Sequence, residues 1–454
     1  MDEDKRLNAL ANEPIGKLLW NYALPAIVAM AASSLYNIID GIFIGQGVGA
    51  DAIMGLAVTM PLMVLAAAFG MLVGVGAATL MSVRLGQKDY EVASKILGNV
   101  IVFTLFFGLF LSGVLLVFLD PLLRFFGASD ATLPYARDFM QVILVFNVTS
   151  HMYFSLNALL RSVGKPRRAM MFTITTVLLN VMLAPLFIYV FGWGIRGAAF
   201  ATVMAQIIAL VFQFRLFSNK SELVHIKRSI FSLDRRIIMD SLGIGMSPFL
   251  INVCACLVVV FINRSLAAYG GDVAVGAYGI SNRLLFFTTM IVIGIDQGMQ
   301  PIAGYNWGAR KIDRVLGVLR KALLFGSIVT CTGFVAFNFF ARECVSLFTS
   351  DAALIDASEH ALRLMSTMYP VIGMQIVATA FFQCIGFVRQ SIFLSLTRQL
   401  IFLLPMLFIL PRFYGLDGVW YAIPTADALA IVVTLALLVI QIRKFKKQPL
   451  NPTL

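Results

Sequence analysis

Three aspartates, Asp40, Asp296 and Asp427, lie within long apolar stretches of the chain. An ionisable side chain inside a membrane is costly and usually marks a path for ions or substrate. The carboxyl of Asp40 could bind and release a proton when it is desolvated, whereas a coordinated Na⁺ would favour its charged form. A structural acid at the hydrated end of a helix is the alternative for Asp40.

The other two acids stand in the C-terminal half, and each has more than one possible role. Asp296, in the sequence GIDQG, could face a substrate cavity and attract cations, or it could pair with Arg283 or Arg398. Asp427, in PTADALA, occupies the position of Gln206 in an internal repeat with an offset of 221 residues. We therefore place Asp296, Asp427 and Gln206 among the candidate cavity residues.

Two amides and two prolines complete the set of candidates. Gln375 and Gln383 are eight residues apart, so they share one face of a helix. They could line the cavity or form hydrogen bonds between helices. Pro25 and Pro248 interrupt long apolar segments, and each removes a helix hydrogen bond. Each could be a hinge or a static kink.

The sequence lacks the motifs that several kinds of catalysis require. The chain has no GxxxxGK[ST] loop, so ATP is not the direct energy source. His151, His225 and His360 are dispersed and form no HExxH pattern, and the five cysteines are scattered. No Ser, His and acid set is placed for catalysis. We therefore predict no cofactor, no metal and no enzymatic activity.

The composition of the chain indicates the environment of these candidate residues. The chain is 60% hydrophobic and 13% charged, against about 25% charged residues in a typical soluble domain. Apolar segments long enough to cross a bilayer as helices recur along the whole chain, and short alternating segments typical of an outer-membrane barrel are missing. The formal charge of +12 is spread over loops and forms no independent basic domain, so nucleic acid is not an expected partner.

The apolar segments predict an all-α membrane protein with twelve transmembrane helices. The polar start, MDEDKRLNALANEPIGK, lacks a signal-peptide pattern, so the first apolar segment should remain in the protein. The twelve predicted helices lie near residues 18–44, 52–83, 96–119, 131–160, 169–191, 197–217, 237–263, 273–304, 317–340, 356–386, 390–411 and 417–442.

Lys and Arg predict the orientation of these helices. Most of them fall in the N-terminus, in the loops after even-numbered helices and in the C-terminal tail, which is the pattern of cytoplasmic segments. We therefore expect a multi-pass protein of the inner (plasma) membrane with both termini in the cytoplasm.

The two halves of the chain repeat each other. GADAIMG at 49–55 is similar to GGDVAVG at 270–276, and GWGIRGAAFA, from Gly192, is similar to FYGLDGVWYA, from Phe413. Both pairs have an offset of 221 residues. The repeat predicts two six-helix lobes related by a pseudo-two-fold axis along the membrane normal, with a substrate path between them. The predicted division is an N-terminal lobe at 1–217, a cytoplasmic linker at 218–236 and a C-terminal lobe at 237–454.

Four segments resemble the bacterial branch of the multidrug and toxic compound extrusion (MATE) family. They are LYNIIDGIFIGQGVGADAIMGLAV at 35–58, LRSVGKPRRAM at 160–170, LNVMLAPLFIYVFGWGIRGAA at 179–199 and GIDQGMQPIAGYNWGARK at 294–311. The resemblance implies an ion-coupled antiporter that exports small cationic or amphipathic organic compounds by alternating access. We expect it to work as a monomer in the lipid bilayer.

The same resemblance implies a site for the coupling ion in the N-terminal lobe. Asp40 matches the family's coupling acid, and Asn180 and Thr202 match its partners on helices 5 and 6. The family often has a second Asp one helical turn after the Asn, but this chain has Ala184 there. A site with one carboxylate favours H⁺ over Na⁺, which usually takes several oxygen ligands.

Two other functions remain open at this point. A flippase for a lipid-linked precursor shares this architecture, but it would need a strongly cationic cavity to hold a diphosphate. The chain's basic residues lie mainly in loops, and its intramembrane charges include three acids. A sensor or scaffold without transport is the third possibility, although an internal duplication around buried acids suits alternating access.

Overall fold

The computed structural model describes residues 3–349 and 351–447, and all regular structure within these ranges is helical. A long chain of apolar residues in a membrane must satisfy its backbone hydrogen bonds internally, which a helix achieves. The α-helices are α1 (Glu3–Asn12), α2 (Ile15–Gly47), α3 (Ala50–Gly86), α4 (Tyr90–Val117), α5 (Leu119–Phe125), α6 (Leu133–Val145), α7 (Asn147–Ser162), α8 (Pro166–Pro185), α9 (Gly194–Phe217), α10 (Arg235–Gly308), α11 (Ile312–Phe339), α12 (Ala341–Ser346), α13 (Ala352–Met365), α14 (Tyr369–Cys384), α15 (Val388–Leu396), α16 (Leu404–Tyr414) and α17 (Leu416–Lys447).

Three local departures from α-helix geometry shape these elements. The helix α10 breaks at Gly271, whose φ of 65° is readily available only to glycine, so it forms two spans, Arg235–Gly271 and Val273–Gly308. Short π-helical segments, Leu186–Val190 and Thr397–Leu403, continue α8 and join α15 to α16. Such widened turns often occur at functional positions in helices.

The prediction of twelve membrane-spanning helices is confirmed. Among the residues that the structure describes, ten helices are long and apolar enough to cross a membrane, and two bent pairs bring the number to twelve when each pair counts as one span. The pairs are α6 with α7 and α13 with α14, and both bend by 57°. The bends follow Val145 and Met365 and so recur at nearly the same place in the internal repeat.

The chain divides into two compact units. The first contains Val28–Phe249 and the N-terminal residues up to Glu13, and the second contains Pro14–Ile27 and the residues from Leu250 onward. The chain therefore passes from one unit to the other inside α2 and inside α10. Pro25 and Pro248 each lie within three residues of these passages. The lobe boundaries at 217 and 237 remain a prediction.

Each unit has its own apolar core. The first unit buries Ile44, Leu62, Leu123, Phe139 and Ala201 among many others. The second is centred on residues of α10, α13 and α17, including Leu266, Leu362, Trp420 and Ala426. These cores hold the helices that carry the candidate site residues.

Candidate ion and substrate sites

Asp40 lies on α2 in the first unit and is almost completely buried, with 5% of its surface exposed. Its Oδ1 atom has no hydrogen-bond partner within the described part of the chain. A buried polar atom without a partner is costly, so it usually signals a missing ion, proton or water. The position of Asp40 inside a membrane-spanning helix agrees with the sequence prediction.

Asn180 and Thr202, predicted as partners of Asp40, are brought together by α8 and α9. The Asn180 side-chain amide donates to Thr202 Oγ1 over 2.9 Å, and Tyr36 Oη lies 2.9 Å from the same oxygen. The Thr202 hydroxyl donates to the carbonyl oxygen of Ala198 over 3.2 Å. Thr202 Oγ1 therefore accepts from Asn180 and is also hydrogen-bonded to the Tyr36 hydroxyl.

Tyr36 is the residue of this cluster that the sequence reasoning missed. It stands four residues before Asp40 on α2, and this spacing puts both side chains on one face of the helix. That spacing, together with a hydroxyl in an apolar helix, is a signal that could have identified it. We call Tyr36, Asn180 and Thr202, together with Asp40 one turn along α2, the α2 polar cluster; no hydrogen bond joins Asp40 Oδ1 to the other three residues.

Ala184, at the position where the resemblance implied a second acid, is completely buried one turn after Asn180. Asp40 is the only acidic residue in the sequences of α2, α8 and α9. The α2 polar cluster therefore has a single carboxylate.

Gln206, predicted to line the substrate cavity, is mostly buried on α9. Its Oε1 atom accepts a hydrogen bond from the Ser150 hydroxyl over 2.6 Å, which links α9 to α7. The next residue on α7, His151, donates from Nε2 to the carbonyl oxygen of Ala66 on α3, at 2.9 Å. These contacts are structural, and the role of Gln206 in substrate binding stays a prediction.

In the second unit, Asp296 lies on the second span of α10, and its Oδ1 has no hydrogen-bond partner within the described ranges. Gln375, on α14, is buried and its Oε1 is likewise without a partner there, whereas Gln383 is half-buried. The predicted pairing of Asp296 with Arg283 or Arg398 is not seen. Asp296 is therefore an acid inside a membrane span that has no ion pair with any described residue.

Asp427 is held by Arg398 instead. The guanidinium Nε of Arg398 donates to Asp427 Oδ1 over 2.6 Å, and the carboxylate is only 4% exposed. Arg398 stands on the π-helical segment Thr397–Leu403, and Asp427 stands three residues after Pro424 in α17. Because the two charges offset each other, Asp427 adds no net negative charge for a cationic substrate. The sequence alone gave no reason to choose Asp427 over Asp296 as the partner of Arg398.

Within the described ranges, no group of three or more His, Cys, Asp or Glu side chains is placed to hold a metal ion. The five cysteines are free thiols, two of them buried. The candidate chemistry therefore rests on single carboxylates next to hydroxyl and amide groups.

Comparisons with known proteins agree with this arrangement. The family model MatE matches residues 25–186 and 244–409. The multidrug export protein MepA of Staphylococcus aureus (strain MRSA252) is 26% identical over 433 residues, which is 95% of each chain. MepA of Staphylococcus haemolyticus is 26% identical and covers 94% of this chain and 93% of its own.

Solved structures with the same fold belong to similar transporters. An outward-facing multidrug resistance MATE transporter of the MOP superfamily is 24% identical, covers 97% of this chain and 98% of its own, and superimposes with a TM-score of 0.91. A MATE structure in a bent conformation covers 98% and 99% with a TM-score of 0.92. The match to the family model, over most of the chain and in both halves, shows that this membrane protein belongs to the MatE family.

Proposed function

We propose that the protein exports small cationic or amphipathic organic compounds by alternating access, in exchange for an inward-moving ion. Its relatives over nearly the full length are named multidrug export proteins. The half-buried acid Asp296, whose buried Oδ1 has no partner in the described part of the second unit, would favour a cation in the path. Asp40, a second acid inside a membrane span, is then available to bind the coupling ion.

The observation that carries the coupling role is the buried Asp40 carboxylate with an oxygen that no hydrogen bond satisfies. An ion shifts the inward–outward equilibrium only if it binds one state better than the other. A proton would neutralise this carboxylate and convert its oxygen into a donor. Entry of the proton from one side and its release to the other would then drive export.

The hydrogen bonds of the α2 polar cluster favour H⁺ over Na⁺. Thr202 Oγ1 is already hydrogen-bonded to both Asn180 and Tyr36, so binding Na⁺ there would require these bonds to rearrange. A single carboxylate also supplies less negative charge than the two acids found in many relatives. Binding a proton requires neither a second acid nor a rearranged Thr202.

A flippase for a lipid-linked precursor is less well supported. A diphosphate needs cations that are free to bind it, and the intramembrane Arg398 already pairs with Asp427. The exposed basic residues lie mainly at the ends of spans. We also propose, from the distribution of Lys and Arg, that both termini lie in the cytoplasm, and cysteine-accessibility labelling of residues 218–236 would test this.

Transport in proteoliposomes tests the proposal. The wild-type protein should move a fluorescent organic cation when a pH gradient is imposed, and Asp40→Asn should abolish this movement while the protein stays folded in the membrane. Asp130→Asn, an exposed acid in the same unit, is the matched control and should keep full activity. Full gradient-driven export by Asp40→Asn would refute the coupling role.

The choice of ion has its own test. Tyr36→Phe removes one hydroxyl from the α2 polar cluster but leaves the carboxylate. Proton-driven export should survive this change with a modest loss of rate, because the proton binds Asp40. Strict dependence of the wild type on Na⁺, with no response to a pH gradient, would reject the proton and leave Asp40 as the site of Na⁺.

A further inference from the structure

The segment 218–236, predicted as a linker, is fastened to the first unit along one side. We call it the strap. It joins the end of α9 to the start of α10 and packs against α4. The side-chain amide of Asn99 on α4 donates to the carbonyl oxygen of Ser232 over 3.1 Å, and its oxygen accepts from the backbone N–H of Asp234 over 2.7 Å. One side chain therefore holds the strap through both of its polar atoms.

A buried ion pair and two apolar side chains fasten the rest of the strap. Lys165 Nζ lies 2.8 Å from Glu222 Oε1, with only 7% and 13% of the two side chains exposed. Val224 and Ile230 are almost completely buried. The inner side of the strap is therefore fixed against the first unit. This fixed position determines which strap residues face outward.

The outer side combines cations with large apolar groups. Three apolar side chains are 39%, 54% and 58% exposed, and four basic side chains are exposed beside them. The apolar residues are Phe231, Leu233 and Met239, and the basic ones are Lys227, Arg228, Arg235 and Arg236. None of these four cations forms an ion pair with another described residue at contact distance.

Two neighbouring features belong to the same surface. Asp234 is its acidic residue, and its carboxylate accepts from the backbone N–H of Arg236 over 2.8 Å at the start of α10, where a negative charge is favourable. Arg167 and Arg168 are exposed in the first turn of α8, directly after Lys165, which binds the strap. They add two more cations at this end of the unit.

We propose that the outer side of the strap is a docking surface for anionic phospholipid headgroups. The strap connects the ends of two membrane spans, Gly194–Phe217 and Arg235–Gly271, so it must lie at a membrane surface. Basic side chains there bind anionic headgroups, while the apolar side chains enter the boundary between headgroups and acyl chains. This combination fits a lipid surface better than a free anion, which would leave Phe231 and Leu233 in water.

Thermal unfolding of the full-length protein in detergent tests this inference, and it does not depend on the proposed transport function. Added phosphatidylglycerol should stabilise the wild type more than phosphatidylcholine does, because a ligand of the folded state raises its stability. The variant K227Q/R228Q/R235Q/R236Q should lose this preference. At about 1 kcal/mol for each cation near the surface, each lost charge should weaken lipid binding about fivefold.

A matched variant controls for total charge. R310Q/R320Q/R443Q/K444Q removes four exposed cations from the second unit and should keep the preference for phosphatidylglycerol. Inorganic phosphate should stabilise neither protein. The inference is overturned if the strap variant keeps the wild-type preference, if both variants lose it equally, or if inorganic phosphate reproduces the effect.

Insertion of the apolar side chains is tested by fluorescence. In Phe231→Trp, acyl-brominated phosphatidylglycerol should quench more fluorescence than in the wild type, whose native tryptophans give the background. Equal quenching in the two proteins would show that residue 231 stays in water, and would overturn the inference that the strap seats on lipid.

Discussion

The ion pair between Arg398 and Asp427 predicts unequal effects for the loss of its two partners. Asp427 is 4% exposed, whereas 28% of the Arg398 side chain remains exposed. Arg398→Gln leaves a buried carboxylate without a counter-charge, which costs about 3–5 kcal/mol.

Asp427→Asn should cost less, because the asparagine amide oxygen can still accept a hydrogen bond from the guanidinium, which is itself 28% exposed. The loss of one hydrogen bond between charged groups gives about 1.5–3 kcal/mol. The double variant Arg398→Gln/Asp427→Asn removes both charges, so it should be more stable than the sum of the two single losses predicts.

Unfolding by denaturant in detergent micelles at pH 7 measures all four proteins of this cycle. We expect Arg398→Gln to be the least stable and the double variant to recover at least about 1 kcal/mol relative to additivity. Equal losses of stability for the two single variants, or additive losses in the double variant, would refute the conclusion that the two charges compensate each other. Arg389→Gln, at a position nine residues earlier that makes no ion pair with described residues, should be nearly neutral.

Three further predictions follow from single contacts. Gly245→Ala should strongly destabilise the first unit, because a Cβ there would overlap the backbone carbonyl of Leu72, whereas the same change at Gly113, which has open space around it, should be tolerated; thermal unfolding of both variants checks this. Glu222→Gln should remove the buried ion pair with Lys165 and loosen the strap, giving faster cleavage of residues 218–236 in limited proteolysis than in the wild type. Asp296→Asn should weaken efflux of cations more than efflux of neutral compounds, and an equal loss for both, or loss of folded protein, would indicate a structural acid.

The sequence by itself determined the membrane class, the number of spans and the family resemblance. These depend on features that are local along the chain: apolar segments of bilayer length, and a repeat with one constant offset. It also identified Asp40, because an acid within an apolar helix is costly wherever that helix packs. The predicted helices 131–160 and 356–386 each span both sides of a bend, so the bends in α6–α7 and α13–α14 were not predicted.

Tertiary structure decided which polar groups meet. Asp296 and Asp427 look alike in sequence, yet Arg398 on a widened helical turn reaches Asp427 and leaves Asp296 without a counter-charge among described residues. Tyr36 joins Thr202 although 166 residues separate them. The strap reads as a flexible polar linker, but Asn99 and Lys165 fasten it from other helices. Such pairings depend on how helices distant in sequence pack, and hydrophobic periodicity contains no information about the side chain that a given residue will face.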